Sequence, residues 1–307
     1  MNFLRKKTIS GILKDQKEGF SDAEHEQKNL NKVLKVRDLT AMGIAAVIDA
    51  GIFSTIGQAA YQGGPGISLL FVITAITCGF SALCYAEFAA MIPIAGSAYA
   101  YSYVTMGELV AWIIGWALIM EYALGAATVS IAWSEYLNKL TGGAIPYEWS
   151  HSPFESFTDS MGVAHSGIMN APALIILLAL TLLLIKGSQE SAIVNAIIVF
   201  IKVAIVIIFI AVGWQFIKPE NHTPYLIPAG QAAVTDSAGK VIADYSGAFK
   251  HGWGGVLGGA AIVFFAFIGF DAVSTAAQEA KNPKRDMPIG ILGSLVVCTI
   301  LYILFGH

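Results

Sequence analysis

The chain has 307 residues, of which 56% are hydrophobic and only 13% charged, with a net charge of −3 and a mean hydropathy of +0.66. A soluble domain carries roughly a quarter charged and about 45–50% apolar residues, so a water-soluble enzyme is excluded. The acidic balance likewise lacks the basic footprint of a nucleic-acid binder. Cys78, Cys84 and Cys298 all fall in apolar runs, which points to neither a disulfide framework nor a zinc site.

Residues 1–38 are polar and hold nine of the eighteen Lys and Arg. They lack the early apolar core of a signal peptide and read as a cytoplasmic tail with a short amphipathic stretch from Phe3 to Leu13. Seven segments then approach the roughly 20 apolar residues that a spanning helix needs. They are 39–62, 66–90, 108–135, 167–186, 190–217, 252–279 and 287–306. The first, third and fifth each carry one internal charge, Asp49, Glu121 and Lys202. Apolarity on every face excludes an amphipathic soluble bundle. The loops 138–166 and 218–251 are rich in Gly, Pro, Ser and His, and Asp236-Ser237-Ala238-Gly239-Lys240 reads as a hairpin turn. With the N-terminus inside, thirteen Lys and Arg fall on the cytoplasmic side and four (Lys139, Lys218, Lys240 and Lys250) outside, as the positive-inside rule requires.

The first and sixth segments share an interruption. Asp49-Ala50-Gly51-Ile52-Phe53 and Ile268-Gly269-Phe270-Asp271 place glycine and a carboxylate in mid-span. The pattern that follows, Ser54-Thr55-x-x-Gln58-x-Ala60, recurs 220 residues later as Ser274-Thr275-x-x-Gln278-x-Ala280. A helix broken inside a membrane bares N–H and C=O groups, tolerated only where they line a cavity or meet a ligand. Half-helix N-termini favour anions and freed carbonyls favour cations, so a pair of breaks suits a zwitterion and marks an inverted-repeat transporter. Glycine serving only close helix packing is the simpler alternative, and the matched pair with its echo argues against it.

Lys202 lies in the middle of the apolar stretch Ser191–Ile217, where a lysine is costly, and burial favours its neutral form. Glu121 sits equally deep in the third segment, while Glu87 lies near the end of the second and reads as interfacial. A retinal-type pump needs a lysine in its last helix, and 287–306 has none. An intramembrane hydrolase is disfavoured because all six His lie in the tail, loops or terminus, and no phosphate-binding loop supports ATP-driven transport. No catalytic residue, metal or cofactor is expected.

The segments AGIFSTIG (50–57), YAEFAAMIPIAGSAYAYSYVTMGELVAWIIGWALIMEY (85–122), SAIVNAIIVFIKVAIVIIFIAVG (191–213) and FFAFIGFDAVSTAAQEAKNPKRDMPIGI (264–291) carry a family resemblance. From Val36 onward the chain resembles the amino acid–polyamine–organocation superfamily, most closely its cationic amino acid transporter branch. The resemblance implies an all-α polytopic membrane protein with a five-plus-five inverted repeat and helices 1 and 6 broken. It implies a secondary amino acid permease of the cell membrane, coupled to protons, with an amino acid, protons and the lipid bilayer as partners and no nucleic acid. A non-transporting sensor or an exchanger of the same fold is the alternative. The expected organisation is a tail at 1–38, a first five-helix repeat at 39–217, an extracellular loop at 218–251 and two helices of a second repeat at 252–307. On that reading the chain is an N-terminal portion of a longer transporter.

By resemblance, the backbone of Val47, Ile48, Asp49, Ala50 and Gly51 cradles the solute's carboxylate and amine. Phe265, Ala266 and Ile268 supply carbonyls and a wall, and Phe267 and Phe270 either gate the site or pack. Lys202 stands where sodium-coupled relatives bind a sodium ion; its ammonium would bridge carbonyls near Ala46 and Val47 and couple transport to protons, unless it is only a structural tether. Glu121 either faces the cavity or joins a buried network with Tyr122, and Asp271 closes the second break. Asp49 departs from the family pattern, which has glycine at that position. Beside a solute carboxylate at about 4 Å, an ionised Asp49 would repel it by roughly 4 kcal/mol at an effective dielectric near 20. It is therefore protonated, paired with Lys202, or a damaging substitution, and the expectation is impaired or altered solute binding.

Overall fold

The computed structural model describes residues 32–158, 163–186, 188–235 and 241–307, together with Lys6, Thr8, Ile9 and Gly11. The amphipathic stretch in the tail, taken as a whole, and the Asp236–Lys240 turn lie outside the described residues.

Each expected span corresponds to helix. The first is divided into α1 (Val36–Val47) and α2 (Ala50–Gly63), and the second is α3 (Ile67–Met91). A short α4 (Ser97–Thr105) leads to α5 (Glu108–Leu140), the third span. The following loop holds α6 (Tyr147–Ser150) and an antiparallel pair, β1 (Ser156–Thr158) with β2 (Ala164–Ser166). The fourth and fifth spans are α7 (Ala171–Lys186) and α8 (Ser188–Gly213). Strands β3 (Val234–Thr235) and β4 (Val241–Ala243) then pair antiparallel, flanking the expected hairpin turn. The sixth span begins as α9 (Gly252–Val263) and tightens into two 3₁₀ segments, Phe264–Phe267 and Phe270–Gln278. The seventh is α10 (Pro283–Gly306).

Five stretches among the described residues are long and apolar enough to cross a membrane: Ala50–Met91, Glu108–Leu140, Ile197–Phe216, Gly252–Gln278 and Pro283–Gly306. Trp112, Trp116, Leu182 and Phe200 stand exposed on these and neighbouring helices, a surface that suits lipid rather than water. The fold is that of an all-α, multi-pass membrane protein.

The chain forms two compact units. One joins the residues up to Leu118 with Ala204–His307, and the other is Ile119–Val203. Within the first, α1 lies against α10 at small residues. A Cβ on Gly43 would collide with Ser294, and one on Gly290 would lie 2.7 Å from the Leu39 Cβ. Small side chains here let the helix axes approach closely, the usual route to tight packing in a membrane. Thr74 Oγ1 donates to the Leu70 carbonyl at 2.8 Å and lies 3.2 Å from that of Ala260, linking α3 to α9. Leu34 bridges to the end of the sixth span, its N–H donating to the Glu279 carbonyl at 3.0 Å and its carbonyl accepting from Lys281 N–H at 2.8 Å.

The 241–250 loop has its own electrostatic clasp. Lys250 Nζ donates to Asp244 Oδ2 at 2.9 Å, and the Ser246 hydroxyl and N–H donate to the same carboxylate at 3.0 Å each. These contacts, Lys250 foremost, pull the Asp244 carboxyl down to about 2. Because the folded value is depressed, the clasp is complete above the ordinary carboxylate range, near about 3.9, and is lost as pH falls through about 2. Carboxyl NMR of the wild type should give a midpoint near that value, and Lys250→Met should move it back toward the ordinary range. A wild-type midpoint already at the ordinary value would mean that the clasp does not form.

Candidate functional site

Helix α1 stops at Val47 because the next two residues leave helical geometry, Ile48 at ψ 88° and Asp49 fully extended at φ −122°, ψ −162°. Asp49 then restarts the helix: its Oδ1 accepts from the Gly51 N–H at 2.6 Å. Aspartate is among the strongest N-cap residues because a short carboxylate reaches the donors left unpaired in a first helical turn. The same interruption that ends one helix therefore starts the next.

The sixth span breaks by a different device. Ile268 is extended at φ −60°, ψ 139°, and Gly269 takes φ +116°, a left-handed conformation that glycine alone adopts without strain. The sequence echo survives with a change of register. Thr55 Oγ1 donates to the carbonyl four residues back, Gly51, at 2.7 Å, whereas Thr275 Oγ1 donates to the one three back, Ala272, at 2.7 Å. That shift is what the tighter 3₁₀ winding after Gly269 requires.

The two breaks press on each other reciprocally. A Cβ on Gly51 would lie 2.8 Å from the Ala266 Cα, and a Cβ on Gly269 would lie 2.6 Å from the Ala46 carbonyl oxygen. Each glycine admits the backbone of the other span. Between them stands Tyr302 of α10, completely buried, its hydroxyl 2.7 Å from the Val47 carbonyl and 2.9 Å from that of Ala266. One phenol thus bridges the two spans at their breaks, reaching the Ala266 carbonyl and the Val47 carbonyl, which also accepts from the Asp49 N–H at 2.9 Å. The ring is fixed edge-on to Phe267, with centroids 5.2 Å apart, and lies 5.9 Å from Phe71.

Of the residues expected at the site, Val47, Ile48, Gly51, Ala266 and Phe267 are buried, while Asp49, Ala50, Phe265 and Ile268 are half-buried. The structure brings these two groups together. Phe270 packs edge-on against Tyr85 at 5.9 Å, Asp271 is buried in the 3₁₀ segment, and Glu87 is exposed on α3. Glu121 on α5 and Lys202 on α8 are both half-buried and belong to the Ile119–Val203 unit. Among the described residues, no group of three His, Cys, Asp or Glu could hold a metal ion. Tyr302 was invisible to sequence reasoning because it reads as one more aromatic in an apolar run. The available signal is a phenol inside an apolar helix, whose hydroxyl needs a partner once it is removed from water.

Chemically, the breaks offer helix-start N–H groups at one point and carbonyls outside the regular helical ladder at another, groups of the kind that recognise an anion and a cation through the backbone. A family model described as amino acid permease matches residues 34–306. The branched-chain amino acid permease BcaP of Bacillus subtilis (strain 168) is 42% identical over 301 residues, covering 97% of this chain and 57% of that protein. The methylthioribose transporter of the same organism is 40% identical over 282 residues, covering 92% of the chain and 55% of that protein. The vacuolar cationic amino acid transporter 4 of Arabidopsis thaliana is 34% identical over 288 residues, covering 93% and 44% respectively. The chain spans about half the length of the curated relatives it matches.

Proposed function

The chain belongs to the amino acid permease family, a family of transporters rather than enzymes, and on that premise we propose that the whole protein is a secondary active amino acid transporter. The solute's charged head sits at the breaks of the first and sixth spans, and transport proceeds by alternating access around that point. The observation that carries this reading is the reciprocal contact of the two breaks, Gly51 on Ala266 and Gly269 on Ala46. A membrane protein maintains such costly irregular backbone where it serves a ligand. Relatives named for branched-chain and cationic amino acids support an amino acid as the solute.

In this reading the fold repeats itself in inverted orientation, the N-terminus faces the cytoplasm and the protein resides in the cell membrane. Val47 to Gly51 and Phe265 to Ile268 line the solute's head group, and Glu121 biases the cavity toward cationic or polar groups. Lys202 supplies the proton coupling: an intramembrane ammonium is expensive enough that losing its proton during the cycle is favourable.

The test is uptake of labelled arginine, lysine, alanine and leucine by the full-length protein in proteoliposomes. Uptake of at least one, stimulated by an inward proton gradient, is expected; uptake of none overturns the reading. Lys202→Met should abolish the stimulation by the gradient while solute binding persists. Full gradient dependence in that variant would remove Lys202 from the coupling role.

A further inference from the structure

The protein's own side chains engage backbone groups at both breaks. Tyr302, wholly buried, offers its proton to the Val47 and Ala266 carbonyls, and Asp49 accepts from the Gly51 N–H at the start of α2. The phenol stands where a solute ammonium would donate, and the carboxylate stands where a solute carboxylate would accept. Together they satisfy both ends of a zwitterion's site. These pairings also give the Asp49 carboxylate a constructive place at the break.

We infer that Tyr302 and Asp49 are positioning residues that allow the empty carrier to close and return, so that the protein performs net transport rather than obligatory exchange. The inference rests on the reading that the breaks hold the solute. A carrier whose break groups are satisfied by solute alone cannot close without it, because each buried group left unpaired depletes the closed state by about ten- to a hundredfold. Its return leg then requires a second solute, and only exchange is possible. Here the phenol and the carboxylate are themselves partners for those groups. On loading, Tyr302 yields the Val47 and Ala266 carbonyls to the solute's ammonium, and Asp49 yields the Gly51 N–H to its carboxylate.

The experiment compares two fluxes of one labelled amino acid in proteoliposomes of the full-length protein: entry into empty vesicles, and entry into vesicles preloaded with the unlabelled solute. In the wild type the two rates should be similar. In Tyr302→Phe the preloaded rate should exceed the empty-vesicle rate by about tenfold, because only the empty return is slowed. Asp49→Gly should raise the ratio in the same direction, whereas Asp49→Asn, which keeps an acceptor oxygen, should leave the ratio at its wild-type value. Equal losses of both fluxes in Tyr302→Phe are the signature of a merely structural phenol and overturn the inference; where that variant does not fold, Asp49→Gly decides by the same ratio. A wild type that exchanges but shows no entry into empty vesicles overturns it as well and leaves the solute reading standing. A wild type inactive in both modes overturns the transport reading and this inference with it.

Discussion

Gly269→Ala is expected to abolish uptake and to lower thermal stability sharply, the largest single effect in the chain. Two penalties coincide. Gly269 holds φ +116°, and a residue with a Cβ placed in a sparsely populated backbone region costs about 1–3 kcal/mol. The new Cβ would also lie 2.6 Å from the Ala46 carbonyl oxygen and 2.8 Å from its carbon, backbone atoms that no rotamer change can move aside. With overpacking adding about 1–3 kcal/mol, the sum is about 2–6 kcal/mol, a loss of roughly thirtyfold or more in the closed site. Gly293→Ala provides the contrast. Its Cβ would meet only the Thr40 side chain, at 3.5 Å and beyond, so the melting temperature should stay close to wild type, within about 0.5 kcal/mol. Melting by fluorescence-detected chromatography alongside uptake separates the two cases. A Gly269→Ala protein with wild-type melting and uptake would show that the second break does not press on the first.

Gly51→Ala is expected to be the next most damaging change, and it is the more informative because part of its cost is removable. Its backbone is helical, so no conformational strain is added; the penalty is contact alone. The added methyl would lie 2.8 Å from the Ala266 Cα and 2.8 Å from Asp49 Oδ1. Overpacking of a filled interior costs about 1–3 kcal/mol. One of the two obstacles is backbone and the other a side chain, so Asp49→Gly should relieve the second and leave the first. The double variant Gly51→Ala/Asp49→Gly is therefore expected to be less destabilised than the two single losses summed, by about 0.5–1.5 kcal/mol, a coupling typical of residues in direct contact. Strict additivity in melting measurements would place the Asp49 carboxylate away from Gly51.

The location of the breaks was legible from the residues: a carboxylate and a glycine in mid-span at Asp49–Gly51 and at Gly269–Asp271 have no place in a continuous spanning helix. The winding after the second break was not legible. Ser274, Thr275, Gln278 and Ala280 echo Ser54, Thr55, Gln58 and Ala60, yet Ser274 to Gln278 is 3₁₀ and Ser54 to Ala60 is α-helical. The 3₁₀ copy has Ala276, Ala277 and Glu279 where the α-helical copy has Ile56, Gly57 and Ala59, so helix preference does not account for the tighter winding and tertiary surroundings decide it. Asp49 is legible as a charge in mid-span, which points to protonation, pairing with Lys202 or damage at the solute site. Its geometry makes it a helix cap, a role that an aspartate at a helix start announces as readily as any charge argument. Tyr302 escaped because the need of a phenol for a partner can be read from sequence, but which carbonyls meet that need depends on which helices lie beside it.

The backbone bridge at Leu34 ties the segment ahead of the first span to the chain just beyond the sixth. In mechanical terms it is a splice between two lever arms whose pivots are the two breaks. Any swing of the 3₁₀ segment after Gly269 must either carry Leu34 with it or sever both hydrogen bonds, at about 0.5–1.5 kcal/mol each. The start of α1 and the end of the sixth span then travel as one body, and a spectroscopic label attached before α1 would report the motion of a helix more than 200 positions further along the chain.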